Sequence, residues 1–218
     1  MITTVLVSLI FACAALTIYG EMATPVRRPL VYLFKPLTTL LIILLAASLP
    51  VEPASRYRLA ILLGLSLSLL GDVFLMLPGD RFVAGLGAFL MAHLAYLAAF
   101  TAKAPFGALP GAFVLYAAAA APILVLAWPK FQPRMRFRVM AYTVVLAAMA
   151  AQALGQAVLG PSPPAISAAV GAALFVFSDS ALVVNRFVRS FRLSPLVVLA
   201  SYYAAQTLIA LSVAPVFR

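Results

Sequence analysis

The chain has 218 residues, of which 66% are hydrophobic and only 9% are charged, and its mean hydropathy is +1.14. These values lie far outside the range of soluble domains, so they predict an integral membrane protein. The formal net charge of +10 does not indicate a nucleic-acid partner, because the basic residues are scattered between hydrophobic runs and form no soluble patch.

Apolar runs rich in Leu and Ala favour membrane helices over the short alternating strands of a β-barrel. At about 20 residues a span, the length allows roughly eight helices and no separate soluble domain. In chain order they are predicted at residues 2–20, 30–49, 57–77, 83–102, 109–128, 137–158, 165–185 and 195–216. We therefore expect an all-α fold, a polytopic integral membrane bundle of about eight transmembrane helices in a single domain, residues 1–218.

The first predicted span resembles a signal peptide in position, but it lacks a basic start and a convincing cleavage site, so we expect it to remain a helix. It contains Cys13, the only cysteine, which can support neither an internal disulfide nor a cysteine metal cluster. Cys13 is expected to act as a small buried hydrophobic residue.

The basic residues predict the orientation of the bundle, because Lys and Arg are retained on the cytoplasmic side. Ten follow the odd-numbered spans: Arg27, Arg28, Arg81, Lys130, Arg134, Arg136, Arg138, Arg186, Arg189 and Arg192. Four lie on the other side, with Lys35 left aside as ambiguous: Arg56, Arg58, Lys103 and Arg218. Both termini should therefore face away from the cytoplasm, and the expected location is a bacterial inner (plasma) membrane.

Two carboxylates interrupt the apolar runs, Asp72 within LSLSLLGDVFLM and Asp179 within GAALFVFSDSALVV. Asp72 precedes Arg81 by nine residues and Asp179 precedes Arg186 by seven, so both acids should lie at similar depth in the cytoplasmic half. A charged side chain at the bilayer centre costs about 2.5–3.5 kcal/mol or more, and it usually marks a functional site. We predict that both acids are catalytic; the competing interpretation is a structural hydrogen bond to a neighbouring tyrosine.

Other polar residues converge on the same region, with His93 and Tyr96 nearer the midplane, and are predicted to bind substrate: Glu21, Lys35, His93, Tyr96, Tyr142, Tyr202, Tyr203 and Gln206. Small and polar residues also recur at helical spacing and form stripes on single helix faces. One stripe contains Gly64, Ser68 and Asp72, and another contains Gln152 and Gln156. Such stripes let helices approach closely and line a polar interior. We expect a cavity open to the cytoplasmic leaflet, bounded by Asp72, His93, Tyr142, Asp179 and Tyr202.

Each of these candidates has a structural alternative. His93 could be a packed core histidine, and as the only histidine it makes a poor metal site. Lys35 could extend to the membrane surface instead of binding a phosphate, and the tyrosines could belong to interfacial belts. Glu21 could pair with Arg27 or Arg28. Asp80 follows Pro-Gly and is predicted to lie in a turn.

Two buried carboxyl groups suit acid catalysis. One can stay protonated and deliver a proton, while a partner kept ionised by Lys35 or by tyrosine hydroxyls stabilises positive charge or activates water. This pairing is typical of cleavage of an ether or acetal-like bond through an oxocarbenium ion, as in glycosidases. The chain has no G-x-S-x-G elbow and no P-loop, so neither Ser-His-Asp chemistry nor nucleotide binding is expected, and no metal or cofactor is predicted.

Several short motifs occur in a characteristic order: Lys35–Pro36, Leu70–Asp72, AGLGAFLMAHLAYLAAF from Ala84, SDSALVVNRF from Ser178 and SYYAAQTLI from Ser201. In these motifs nearly the whole chain resembles the YhhN family of membrane proteins, which includes the transmembrane lysoplasmalogenases. The resemblance implies an eight-helix enzyme that hydrolyses the vinyl-ether bond of lysoplasmalogens to a fatty aldehyde and a glycerophospho-alcohol. It also implies that the two intramembrane aspartates, matching Asp72 and Asp179, are catalytic.

The implied partners are a lysophospholipid and the bilayer, with the lipid phosphate near Lys35 or loop arginines. The main alternative is a proton-coupled transporter of a small molecule or lipid, since intramembrane acids also form proton relays. The similar patterns around Asp72 and Asp179 would fit two four-helix halves of a carrier, but the outward half is nearly all Ala, Leu and Val. A non-catalytic lipid-binding or scaffold protein would leave the carboxylates unexplained.

Overall fold

The computed structural model describes residues 2–50 and 55–215, and this part of the chain forms eight α-helices and no β-strand. The helices are α1 (Ile2–Met22), α2 (Arg28–Ser48), α3 (Arg56–Met76), α4 (Phe82–Thr101), α5 (Pro110–Ala127), α6 (Pro133–Leu159), α7 (Pro163–Val183) and α8 (Ser194–Leu211). A 3₁₀ turn (Trp128–Lys130) follows α5, and a π-helical turn (Val184–Val188) follows α7. All eight helices are long and apolar enough to cross a membrane. The predicted all-α polytopic membrane bundle is confirmed.

The helix boundaries differ from the predicted spans mainly in α6 and α8. Helix α6 begins at Pro133 instead of residue 137, because proline suits the first helical position and the basic segment continues the helix beyond the apolar run. Helix α8 ends at Leu211, shortly before Pro215, which disfavours helical backbone in the residue that precedes it. Residue 216, where span eight was predicted to end, lies outside the described residues, as do Arg218 and residues 51–54 of the predicted turn.

The helices pack as antiparallel hairpins, with the most extensive contacts in the pairs α1–α2, α3–α4 and α7–α8. The order of contacts shows the direction: Gly64 lies against Tyr96, and Gly85, near the start of α4, lies against Leu75, near the end of α3. Helix α8 contacts α1, α2, α3 and α7, whereas α5 contacts chiefly α6 and buries only two residues. The large apolar side chains exposed on the outside of the bundle are suited to contact with lipid.

The stripe of small residues on α3 faces α4. A Cβ atom added to Gly64 would lie 2.3 Å from Cε1 of Tyr96, and one added to Gly71 would lie 2.5 Å from Cε2 of Phe89. Both distances are far shorter than a non-bonded carbon–carbon contact, so glycine allows these aromatic rings to pack directly on the α3 backbone. Ser68 and Asp72, on the same stripe, are fully buried. This close packing carries Asp72 into the bundle interior.

Candidate active site

A cavity of about 420 Å³ lies at one end of the bundle, and all eight helices contribute to its wall. Most of its residues come from the C-terminal halves of α1, α3, α5 and α7, from the N-terminal halves of the other four helices, and from the π-helical turn after α7. This is the end at which the ten basic residues of the predicted cytoplasmic side are found. Six of the predicted site residues line the cavity: Glu21, Lys35, Asp72, Tyr142, Asp179 and Tyr202.

Asp72 is bound on three sides. Its Oδ2 atom accepts hydrogen bonds from the hydroxyl groups of Thr39 (2.6 Å) and Tyr202 (2.7 Å), and its Oδ1 atom lies 4.0 Å from Nζ of Lys35. The Asp72 residue is only 1% exposed. Two hydroxyl donors and one ammonium group compensate a negative charge at this position, and this arrangement suits the ionised form of a carboxyl group.

Asp179 has a simpler environment. The Tyr142 hydroxyl donates to its Oδ2 atom at 2.5 Å, and within the described residues no basic side chain lies within salt-bridge distance. Asp179 is only partly buried and faces the cavity. The neighbouring Ser178 donates a hydrogen bond to the carbonyl oxygen of Val198, which connects this turn of α7 to α8. A carboxyl group with one donor and no counter-ion suits the protonated form.

Tyr96 and Gln206 do not line the cavity but support Tyr202 from behind. Gln206 donates from Nε2 to the Tyr202 hydroxyl (3.2 Å), and the Tyr96 hydroxyl donates to Oε1 of Gln206 (2.7 Å). A longer contact of 3.4 Å joins the hydroxyl groups of Tyr96 and Ser68. This chain of hydrogen bonds orients the Tyr202 hydroxyl toward Asp72.

His93 and Tyr203 also lie away from the cavity wall. His93 is fully buried, and its ring packs edge-on against the rings of Tyr142 (5.1 Å between centroids) and Phe175 (4.6 Å). Neither ring nitrogen of His93 has a hydrogen-bond partner among the described residues. Tyr203 is 3% exposed and packs against the Tyr202 ring. His93 therefore contacts the back of Tyr142, whereas the sequence placed it at the cavity boundary.

Gln152 differs from its predicted place in the polar interior. Its amide nitrogen donates to the carbonyl oxygens of Ala104 (2.7 Å) and Pro105 (3.0 Å), and its Oε1 atom accepts from the backbone N–H of Gly107 (3.1 Å). It therefore holds the connection between α4 and α5, because loop carbonyls near the membrane need donors that the helices do not supply.

Two other expectations concern the acids at the helix ends. Asp80 lies in the turn between α3 and α4, as predicted, with a left-handed φ of 47°. Glu21 makes no salt bridge to Arg27 or Arg28 in the described part of the chain. No group of three or more His, Cys, Asp or Glu side chains that could hold a metal ion occurs in residues 2–50 and 55–215.

Thr39 and Arg186 are site residues that the sequence reasoning missed. Thr39 follows Lys35 by one helical turn, and this i, i+4 spacing is a signal that could have placed both side chains on one face. Arg186 lines the cavity wall, whereas the sequence indicated only that one of several loop arginines could lie near the lipid phosphate.

Together, the fold and the cavity define a polytopic α-helical membrane protein with a pair of intramembrane carboxyl groups on one cavity. The profile of the YhhN family matches residues 30–213. The chain therefore belongs to the YhhN family, and the resemblance seen in its motifs is confirmed.

Relatives of two kinds are similar to this chain. The "Uncharacterized membrane protein YhhN" of Escherichia coli is 32% identical over 82% of this chain and 84% of that protein. The "Lysoplasmalogenase" of Mycobacterium tuberculosis is 36% identical over 77% of this chain and 65% of the relative. The human "Lysoplasmalogenase TMEM86B" is 37% identical over 74% of this chain and 66% of the relative. No solved structure matches the chain.

Proposed function

We propose that this protein is a lysoplasmalogenase-like hydrolase that cleaves the vinyl-ether bond of lysoplasmalogens within the membrane. The observation that carries the proposal is the placement of Asp72 and Asp179 on one cavity in contrasting surroundings, one beside an ammonium group and one without a counter-ion. Relatives that bear the name lysoplasmalogenase support the substrate class. Two carboxyl groups in different environments can act at one site as a protonated acid and as an anion.

The chemistry of a vinyl ether requires an acid. Protonation of the outer alkene carbon gives an oxocarbenium ion, and water adds to that ion to form a hemiacetal. The hemiacetal collapses to a fatty aldehyde and a glycerophospho-alcohol, so the overall reaction consumes one water and no other reactant. A positioned carboxylic acid supplies the first proton, and its conjugate base then takes a proton from the attacking water, which restores the acid.

The hydrogen bonds favour one assignment of roles. Asp179, without a counter-ion, is the proton donor; Tyr142 occupies its Oδ2 atom, so Oδ1 is the oxygen that presents the proton. Asp72, held by Lys35, Thr39 and Tyr202, is the fixed anion that stabilises the oxocarbenium ion. Preorganised charge of this kind needs no reorganisation when the positive charge develops.

The cavity wall also suits the substrate's hydrocarbon chain. Beside the carboxyl groups, much of the wall is apolar and includes Leu86, Phe89, Ile123, Leu124 and Leu146. An alkenyl chain packed against these side chains would be removed from water at the carbons next to the vinyl ether. Exclusion of water would strengthen the interaction of Asp72 with the developing cation.

A direct test is to incubate the purified protein in detergent with a 1-alkenyl lysophospholipid and to measure the aldehyde released. In D₂O the aldehyde, trapped by reduction, should carry one deuterium at C2, because solvent-derived hydrogen is delivered to that carbon. The saturated 1-alkyl analogue should not be cleaved, because it has no alkene carbon to protonate. If no aldehyde formed across pH values and detergents, a proton-coupled carrier would become the better interpretation.

Lys35 is expected to influence turnover more than binding. Replacing it with methionine should lower kcat at least about tenfold with little change in KM, because Asp72 would lose the cation that keeps it ionised. Steady-state kinetics on the vinyl-ether lysolipid would measure both constants. Lys103→Met is a matched control, since Lys103 lies beside Tyr57 and is not on the cavity wall. A raised KM with unchanged kcat would instead support the head-group role expected from the sequence.

We further propose that the cavity end of the bundle faces the cytoplasm. The test uses Gln132→Cys, in the connection before α6, and Pro161→Cys, before α7, each in a Cys13→Ser background; both positions are exposed. A membrane-impermeant maleimide should label Pro161→Cys on intact cells and Gln132→Cys only after permeabilisation, because basic loops are retained inside. The reverse pattern would place the cavity in the opposite leaflet.

A further inference from the structure

Two basic side chains lie on the described cavity wall, Lys35 and Arg186. Each is paired with a carboxylate, Lys35 with Asp72 and Arg186 with Asp80, but the Lys35 side chain is buried and only 8% exposed. The Arg186 side chain is 36% exposed and lies just beyond the end of α7, where the wall meets the surface of the bundle. Of the two, Arg186 is the cation that an anionic ligand can reach.

The guanidinium group of Arg186 is held in place by three neighbours. Its Nη2 atom donates to Oδ1 (2.7 Å) and Oδ2 (2.8 Å) of Asp80, and the group lies over the rings of Phe82 (4.3 Å) and Phe187 (5.5 Å). Only Nη2 is used in these hydrogen bonds, and no protein acceptor binds Nε or Nη1 in the described residues. A side chain fixed in this way loses little entropy when a ligand binds its free donors.

The distance between Arg186 and Asp179 along the helix suits the length of the glycerophosphate part of a lysophospholipid. Seven residues separate them, which corresponds to about 10 Å along a helix axis. A glycerol backbone with its phosphate, together with the length of an arginine side chain, spans that distance. The π-helical turn Val184–Val188 ends α7, and both Arg186 and Phe187 in this turn line the cavity. Such turns recur at functional sites.

We propose that Arg186 binds the phosphodiester of the lysophospholipid, and that Asp80, Phe82 and Phe187 position its guanidinium group. This inference rests on the proposed function for the identity of the lipid. The planar guanidinium presents paired N–H donors that match phosphate oxygens, and each such charge-assisted hydrogen bond is stronger than a neutral one. With Arg186 at the phosphate, the vinyl ether at the other end of the glycerol lies on the same wall as the carboxyl groups.

The test measures binding without turnover, so that it does not depend on hydrolysis. Two non-cleavable ligands of equal chain length are titrated into purified protein in detergent: a 1-alkyl lysophospholipid and the matching 1-alkylglycerol, which lacks the phosphate. Arg186→Gln should raise the Kd of the lysophospholipid roughly 10- to 100-fold, the range for loss of hydrogen bonds to a charged group. The Kd of the alkylglycerol should not change. Arg186→Lys should bind the lysophospholipid with an affinity between those of the wild type and Arg186→Gln, because lysine keeps the charge but not the paired donors.

Arg189→Gln is the matched control, since it removes the same charge three residues away and Arg189 is not on the cavity wall. The inference would be overturned if Arg186→Gln weakened the binding of both ligands equally. It would also be overturned if Arg189→Gln weakened lysophospholipid binding as much as Arg186→Gln does. Displacement of the lipid by inorganic phosphate at similar concentration would overturn it as well, because that result indicates a general anion site. Wild-type protein that binds the lysophospholipid through Arg186 but releases no aldehyde would refute the proposed hydrolysis and leave this inference intact.

Discussion

Replacing Asp179 with asparagine is expected to lower kcat for vinyl-ether hydrolysis by about 10²–10⁴-fold, the usual loss when a general acid is removed. Asparagine keeps the size of the side chain and can still accept the hydrogen bond from Tyr142. Its amide cannot deliver an acidic proton to carbon. Because Asp179 has no salt bridge within the described residues, the substitution leaves no charge unpaired, and the thermal unfolding midpoint should change little or rise.

Asp179→Glu provides the matching control, because it keeps a carboxylic acid and changes only its reach. It should recover part of the lost activity, whereas asparagine should not. The measurement is steady-state release of aldehyde, with substrate binding followed separately by titration of the saturated ether analogue. If Asp179→Asn kept more than about a tenth of the wild-type kcat, the loss would fall below the general-acid range, and Asp179 would be assigned a structural role.

Replacing Asp72 with asparagine is expected to lower kcat by a factor similar to that for Asp179→Asn. The reason is different, and so is the effect on stability. The oxocarbenium ion would lose its fixed anion, which is an electrostatic loss. Lys35, only 6% exposed, would also be left without its partner. Removing one partner of a buried pair costs about 3–5 kcal/mol. The Lys35–Asp72 separation of 4.0 Å suggests a smaller loss in the free energy of unfolding.

The double variant Asp72→Asn/Lys35→Met separates the two effects. It leaves no unpaired charge, so stability should recover toward that of the wild type, while hydrolysis should stay absent because no anion remains beside the reacting carbons. Thermal unfolding and aldehyde release would be measured on the same preparations. Recovery of activity together with stability would show that Asp72 and Lys35 serve only the packing of α2 against α3.

Much of the fold could be predicted from the amino-acid sequence because a bilayer imposes local requirements. Every backbone N–H and C=O group in the hydrocarbon must be hydrogen-bonded within the protein, and a helix achieves this within a single long apolar run. In the part of the chain that the structure describes, the eight runs form eight helices, with differences of a few residues at ends such as Pro133, where hydropathy marks the apolar region and not the helix boundary. The clustering of the two acids at one depth could also be read from their distances to Arg81 and Arg186.

The contacts between the polar side chains could not be predicted in the same way. Stripes of small and polar residues indicate an inward face, as on α3, but these helices are otherwise apolar on nearly all sides, so their sequences contain little information about which partner side chains that face meets. The direct packing of Tyr96 on Gly64 and the meeting of α2, α3 and α8 decide that Thr39 and Tyr202 share Asp72, while Tyr142 donates to Asp179. Helix rotation and close packing thus give the two similar acids different partners, because those partners come from segments far apart in the chain.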